Sequence, residues 1–428
     1  MQAAGRKFDV VVFGAGGFTG RLVCEHIARD YQGKVRWAMA GRDAAKLEEI
    51  KKNLVAINPA VEAVPVIVAD AFDSPALSSM AQSTSVIINV AGPYAKYGDK
   101  VVKAAVDEGT HYCDITGELN WVKRIIARHH EEAEAKGVKV VNCCGYDSVP
   151  FDIGTLVVVD HIRNKLGKGT SQVYGLVEDA RGGVSGGTIA SALNMMAAED
   201  PADVRASTGD KYYLVPPEAG RGSDRPSGML PSWNPHTSAW MGPFVMEVVN
   251  SRIVHRSNAL APQKYGTDFK YREAISSSLP VASLTATLML VGGAVMAFGP
   301  TRSLATRALP KPGEGPSRET MLNGYWKHAA VGLTEEPEGK EPQVVVAKCS
   351  DPQRDGGYWS TSRMLLEAGL CLALDGERLK QAGLRQGGVL TPASAMGLVL
   401  ADRLRSAGIT FDVVKSPALA GAGAPATQ

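Results

Sequence analysis

The chain has 428 residues, of which 45% are hydrophobic and 21% charged, and its net charge is +2. That length allows two domains and a large core. The near-neutral balance, without a long block of like charge, excludes a nucleic-acid partner as the reading.

The first elements follow a βαβ pattern. The apolar run Val10–Phe13 reads as a strand and leads into Gly14-Ala15-Gly16-Gly17-Phe18-Thr19-Gly20. A helical pattern follows, then a second strand ending in Ala40-Gly41-Arg42. Glycines at 14, 17 and 20, with an extra one at 16, suit a dinucleotide pyrophosphate: it rests on amides at a helix N-terminus, and close backbone approach requires missing Cβ atoms. Cofactors in this fold that lack a 2′-phosphate are held by an acid at the end of the second strand. Arg42 stands there, with Lys46 four residues on, and a guanidinium pairs with a 2′-phosphate. The expected cofactor is NADP(H) rather than NAD(H).

Val64–Asp70 reads as a third strand and Val86–Val90 as a fourth, followed by Ala91-Gly92-Pro93-Tyr94. A helix over Lys100–Glu108, a strand at Tyr112–Ile115, a helix over Asn120–Lys136 and a strand at Val138–Cys143 complete an α/β alternation. Such alternation predicts a Rossmann doubly wound parallel sheet, with ligands at the carboxyl ends of its strands. Asp70, Asn89, Ala91, Gly92 and Pro93 join Gly14, Gly16, Gly17, Phe18, Thr19, Gly20, Arg42 and Lys46 as the cofactor set.

Beyond residue 150 the pattern changes. Residues 172–180 read as a strand, and Ser185-Gly186-Gly187-Thr188 precedes a helical pattern, an arrangement suited to a substrate carboxylate or carbonyl. Residues 205–240 read as loops, and Phe244–Val254 and Gln343–Cys349 as strands. Helices are expected over Ser362–Leu374 and Thr391–Ala407, and a last strand at Ile409–Val414. Residues 416–428 are low in complexity and read as disordered.

Val281–Gly299 holds no charge and lies between Pro280 and Pro300. As a helix it reaches roughly 28 Å. The flanks are basic on both sides, so there is no positive-inside asymmetry. A single span would also divide residues that read as one folded body. A helix or hairpin in a lipid interface, or a helix buried in the chain or in a homodimer, remain as readings.

The six cysteines show no C-x-x-C spacing, so no metal site is expected and buried thiols in a reducing compartment are. The first strand starts near residue 7, which leaves no room for a targeting peptide and suggests a cytoplasmic protein, peripheral on a membrane or lipid droplet if the apolar stretch meets lipid.

Hydride chemistry also needs a proton donor. None of the twelve tyrosines has a lysine four residues later, which disfavours a Tyr-x-x-x-Lys mechanism. Tyr94 and Asp147 are the catalytic candidates. Tyr146, Ser148, Ser185, Gly186, Gly187 and Thr188 are the substrate candidates.

GAGGFTG (14–20), AGR (40–42), NVAGPY (89–94), YCDITGE (112–118), GYDSVPFDIG (145–154), SGGT (185–188), PFVM (243–246) and VLTPASAMG (389–397) together resemble the saccharopine dehydrogenase-like oxidoreductases, in the trans-acting enoyl reductase branch. The resemblance implies a Rossmann domain over 1–150 and an inserted α/β (α+β) substrate or dimerisation domain over 151–385. It further implies a return to the Rossmann domain over 386–415, and lipid-droplet association as in related animal proteins. True saccharopine dehydrogenases carry a G-L-D-P-G-x-D type of motif. The chain's Gly145–Asp152 is one residue longer and lacks the second glycine, which argues against saccharopine as substrate. The expected function is NADPH-dependent reduction of a lipophilic enoyl or carbonyl substrate. The alternative is a catalytically silent NADP-binding protein on a membrane or lipid droplet.

Overall fold

The computed structural model describes residues 5–182, 200–262, 264–297, 301 and 315–414. The motif at 185–188 and the tail at 416–428 lie outside them. Six strands, β1 (Phe8–Phe13), β2 (Trp37–Gly41), β3 (Val66–Val68), β4 (Thr84–Asn89), β5 (His111–Asp114) and β6 (Lys139–Val141), form a parallel sheet in the order β6-β5-β4-β1-β2-β3. This is the expected doubly wound α/β sheet. Its strands read as continuous apolar runs because both faces are covered. Val10, Val12 and Ile88 enter the core on one face, and Val11, Phe13 and Ile87 enter the core on the other.

A second, mixed sheet contains β7 (Thr170–Arg181), β8 (Ser232–Asn234), β9 (Ala239–Gly242), β10 (Lys270–Ser277), β11 (Tyr325–Thr334) and β12 (Val344–Asp351), in the order β12-β11-β7-β10-β9-β8. Only β7 and β10 pair in parallel; the other neighbours are antiparallel. The C-terminal segment then gives one strand to each layer. β13 (Gly388–Leu390) extends the first sheet beside β6, and β14 (Thr410–Val414) extends the second beside β12. The return expected over 386–415 is therefore divided between the two sheets.

Sequence patterns gave no warning of the helix Val149–Leu166, which joins β6 to the second sheet. Pro150 sits in its first turn, and Gly167 ends it in the left-handed conformation at φ +65°. Its first three turns are buried nearly all round because they lie between the second sheet and two other helices, which erases the amphipathic stripe that marks a surface helix. Asp152 on this helix accepts hydrogen bonds from the Ser257 hydroxyl at 2.6 Å and the Ala393 amide at 2.8 Å. It thereby ties the helix to two others, Glu247–Leu260 and Pro392–Ser406.

Glu247–Leu260 also replaces most of the strand expected at Phe244–Val254. Val245, Val248 and Val249 favour a strand, but burial decides here. Val249, Ile253 and Ser257 fall on one buried helical face. The buried Arg252 and Arg256 donate to the carbonyls of Ser207 at 3.0 Å and Leu214 at 2.6 Å. All six cysteines are buried and free.

Close packing between the layers depends on small residues. A Cβ on Gly332 of β11 would overlap Val158 and reach 3.0 Å from Ile162, both on the connecting helix. Gly332→Ala should therefore destabilise the chain by about 1–3 kcal/mol through overpacking. Urea unfolding with an unchanged m-value would register it; wild-type stability would show that the layers have slack.

Candidate active site

The carboxyl edge of the first sheet gathers the candidate residues that the sequence singled out, apart from 185–188, which lie outside the described residues. Gly14, at the end of β1, has φ +90°, a conformation that favours glycine. A Cβ there would stand 2.9 Å from the Ala91 amide nitrogen, so the glycine loop presses against the turn that follows β4. A Cβ on Gly20 would overlap the Gly14 carbonyl and lie 2.8 Å from Ala15 Cα. Gly17 caps the helix Phe18–His26 with no side chain over its first amides. The arrangement is a candidate cradle for a pyrophosphate, since no side chain caps the amides at this helix N-terminus.

Arg42 is exposed just past β2. Lys46 is also exposed, in the first turn of the helix Ala44–Val55 that Asp43 caps. The Lys46 stem lies beside Gly16, with Cδ 3.6 Å from where a Cβ would be. Lys46 therefore stands beside the glycine loop, with Arg42 four residues before it, just past the end of β2. Asp70 follows β3 and turns the chain, accepting from the Phe72 amide at 2.9 Å.

Asn89, Tyr112, Asp114 and Asn142 form one buried chain across the ends of β4, β5 and β6. The Asn89 amide donates to the Tyr112 hydroxyl at 2.9 Å, and that hydroxyl donates to Asp114 Oδ2 at 2.9 Å. Asn142 donates to the same oxygen at 2.8 Å. Burial pushes the Asp114 carboxyl up to about 7 against these donors. Tyr94 belongs to this assembly. Its hydroxyl donates to the Asn89 carbonyl at 3.2 Å and accepts from the Ile115 amide at 3.4 Å. Burial holds it far above the ordinary phenol range. The ring is a post between the ends of β4 and β5, and Glu118 anchors its backbone by accepting from the Tyr94 and Ala95 amides, each at 2.8 Å.

The stretch after β6 differs. Cys143 holds φ +63°, a strained backbone for a non-glycine residue, and redirects the chain into Gly145-Tyr146-Asp147-Ser148. Asp147 is exposed to solvent, with protein crowding its carboxyl. That crowding raises its carboxyl to about 6. Ser148 is buried and donates to Asn250 Oδ1 at 2.8 Å. Asn250 in turn donates to the Asp147 carbonyl at 2.6 Å and to the buried Glu273 carboxyl at 2.8 Å. Ser148 is thus a brace for this turn.

Sequence reasoning missed His328 and the segment Gly356–Ser360. Tyr146 Oη and His328 Nε2 are 2.9 Å apart. The Tyr146 ring covers Gly356, where a Cβ would overlap it. Two residues on, Tyr358 meets Phe18 of the glycine loop edge-on at 5.2 Å. One short segment therefore touches both the nucleotide cradle and the turn after β6. The detectable signal was Asp355 ahead of Gly-Gly-Tyr-Trp: its carboxylate caps the Tyr358 and Trp359 amides, each at 3.0 Å.

Residues 10–141 match the model of the saccharopine dehydrogenase NADP binding domain. A Mycobacterium tuberculosis protein (strain H37Rv), provisionally named a trans-acting enoyl reductase, is 36% identical over 97% of this chain and 99% of its own length. The trans-acting enoyl reductase of Mycobacterium leprae is 35% identical over 96% of this chain and 98% of its own. Among solved structures, apo saccharopine dehydrogenase (L-Glu forming) from Saccharomyces cerevisiae shares the fold at TM-score 0.50 and 14% identity, over 95% of this chain and 99% of that one.

The domain match gives NADP(H) as the cofactor, and the glycine loop is the candidate site for it. Replacing Arg42 with Ala should weaken NADPH about 10- to 100-fold and leave NADH affinity nearly unchanged, since a charged pair to the 2′-phosphate is lost. Calorimetric titration of both nucleotides tests this; an equal loss for both would assign Arg42 a structural part.

Proposed function

The chain belongs to the trans-acting enoyl reductases among the saccharopine dehydrogenase-like proteins, and from that membership we propose that this NADP-dependent oxidoreductase reduces a conjugated enoyl group on a lipophilic acyl substrate. The observation that carries the reading is the full-length match to proteins bearing that name. NADPH, when bound in the cradle, supplies the hydride. The protein's part is to hold the acyl group at the carboxyl ends of β4 to β6 and to deliver a proton. The first sheet is the proposed cofactor domain and the second, with its helices, the substrate domain.

Tyr94 is assigned to positioning, because both lone-pair and proton directions of its hydroxyl are taken by backbone. Asp147 is assigned to proton supply. A carboxyl that titrates near 6 is loaded below that pH and empty above it. Turnover should fall as pH rises through about 6. Asp147→Asn should flatten that limb and lower kcat about 10-fold. A pH-rate profile of NADPH oxidation with short and long enoyl thioesters checks both the activity and the role. Absence of turnover with every enoyl and carbonyl acyl substrate would favour the silent NADP-binding alternative.

The helix Leu279–Ala297 supports a lipid contact. Ala282 and Ala286 are buried, and Ala282 lies against Gly242 of β9. Leu284, Leu288, Leu290 and Val291 are more than half exposed, and from Leu290 to Val295 every residue is exposed. The Thr285 and Thr287 hydroxyls donate back to the carbonyls of Val281 and Ser283, each at 2.9 Å. An end that is apolar on all sides suits immersion better than a protein partner, which covers one face. No described helix is long and apolar enough to cross a membrane, so the proposal is a monotopic dip into one leaflet. Wild-type protein should co-float with phosphatidylcholine vesicles, and the double substitution Leu284→Glu, Leu288→Glu should abolish this while NADPH binding persists. A dimer that persists without lipid and dissociates in the variant would instead make the helix a homodimer contact.

A further inference from the structure

Reduction of an enoyl group needs a proton at the α-carbon, and on that reading of the function we infer that the Tyr146 hydroxyl is its immediate donor and His328 the positioning residue that turns this hydroxyl toward the substrate. Here one phenol pairs with one imidazole. Tyr146 Oη and His328 Nε2 are 2.9 Å apart, and one proton lies between them. His328 is buried, and burial drops its basicity to about 3, so the ring is neutral and carries a single N–H. Its other nitrogen, Nδ1, has no hydrogen-bond partner among the described residues.

Two tautomers are available. If Tyr146 donated to Nε2, the imidazole proton would sit on Nδ1, buried and without an acceptor. If Nε2–H donates to Oη, only a lone pair at Nδ1 is left without a partner. Orphaned buried N–H groups are rarer than under-satisfied acceptors. The second tautomer is therefore favoured, and it frees the phenol's own proton for another acceptor.

Three further observations associate Tyr146 with the candidate cofactor edge. Tyr146 follows β6 directly and keeps part of its surface open, whereas His328 does not. The β11–β7 pairing shifts register between Lys327 and His328, and such irregularities re-aim side chains beside sites. The ring is fixed by Trp326 at 5.2 Å and by Gly356, whose segment reaches Phe18 of the cradle. Burial raises the Tyr146 phenol far above its ordinary range, so it is fully protonated at neutral pH.

The step balances. Once the β-carbon has received hydride, the electron pair at the α-carbon forms a C–H bond with the Tyr146 proton as Oη–H breaks. The phenolate left behind accepts the Nε2–H hydrogen bond, and its proton is restored from the neighbouring Asp147 carboxyl or from solvent.

The decisive measurement is nitrogen-15 NMR of histidine-labelled apo-protein, with the His328 signals assigned by loss in His328→Gln. The inference expects the proton on Nε2; a proton on Nδ1 overturns it, and no turnover is needed to see either. Kinetics supply the second arm. Tyr146→Phe should lower kcat about 100-fold, the range of general acid catalysis, with NADPH affinity within about 2-fold of wild type. His328→Leu should lose as much, while His328→Gln, whose amide can still donate to Oη, should retain most of the rate. Full activity in Tyr146→Phe overturns the donor assignment. If wild type reduces no enoyl substrate at all, the function reading fails, and the tautomer alone judges the geometry.

Discussion

The geometry of the catalytic edge depends on one buried carboxylate. Asp114 takes hydrogen bonds from Tyr112, Asn142 and the amides of Thr116 and Cys143, at 2.8 to 3.3 Å. Through Tyr112 it reaches Asn89, so a single polar chain sets the relative height of β4, β5 and β6. Main-chain pairing alone fixes strand register but not the direction in which each strand's exit loop departs. Here the exits are Ala91–Tyr94, Ile115–Glu118 and Cys143–Ser148, and side chains from all three strand ends bond across them. A network of this kind is costly if any member is missing, because the others are left buried and unpaired. It is therefore an all-or-none support.

On that support the residues divide by solvent access. Tyr94, Glu118 and Ser148 are buried and satisfied by the protein itself, which suits bracing. Asp147 and Tyr146 retain open surface and hold protons through neutral or mildly acidic conditions, which suits transfer. The same physical cause, removal of charge from water, raises the carboxyls and phenols and lowers the imidazole of His328.

Much of the first layer was legible in the sequence. The glycine loop, Arg42 and the strand ends announce themselves because the chemistry of a phosphate-binding turn tolerates few residue types. Buried parallel strands are also plain as short apolar runs. The second layer was less legible. The helix Val149–Leu166 is buried nearly all round over its first three turns, so it shows no stripe, and Glu247–Leu260 carries valines whose preference for strands was overridden by packing. His328 could not be found from its neighbours in sequence, because its partner Tyr146 lies 182 positions away and a register shift in β11 aims it. A site assembled between layers is written in contacts, whereas a cofactor loop is written in consecutive residues.

The division of the C-terminal segment between the two sheets has a consequence for how the chain is made. Neither sheet is complete until residues 388–414 have emerged, because β13 closes the edge beside β6 and β14 the edge beside β12. During synthesis both layers exist with an open edge: the first waits from Val141 to Gly388 for its last strand, the second only from Asp351 to Thr410. The first layer thus takes its last strand only after nearly the whole second layer has been made. Both sheets are completed by the same late stretch, so a chain cut short before residue 388 leaves each of them without an edge strand.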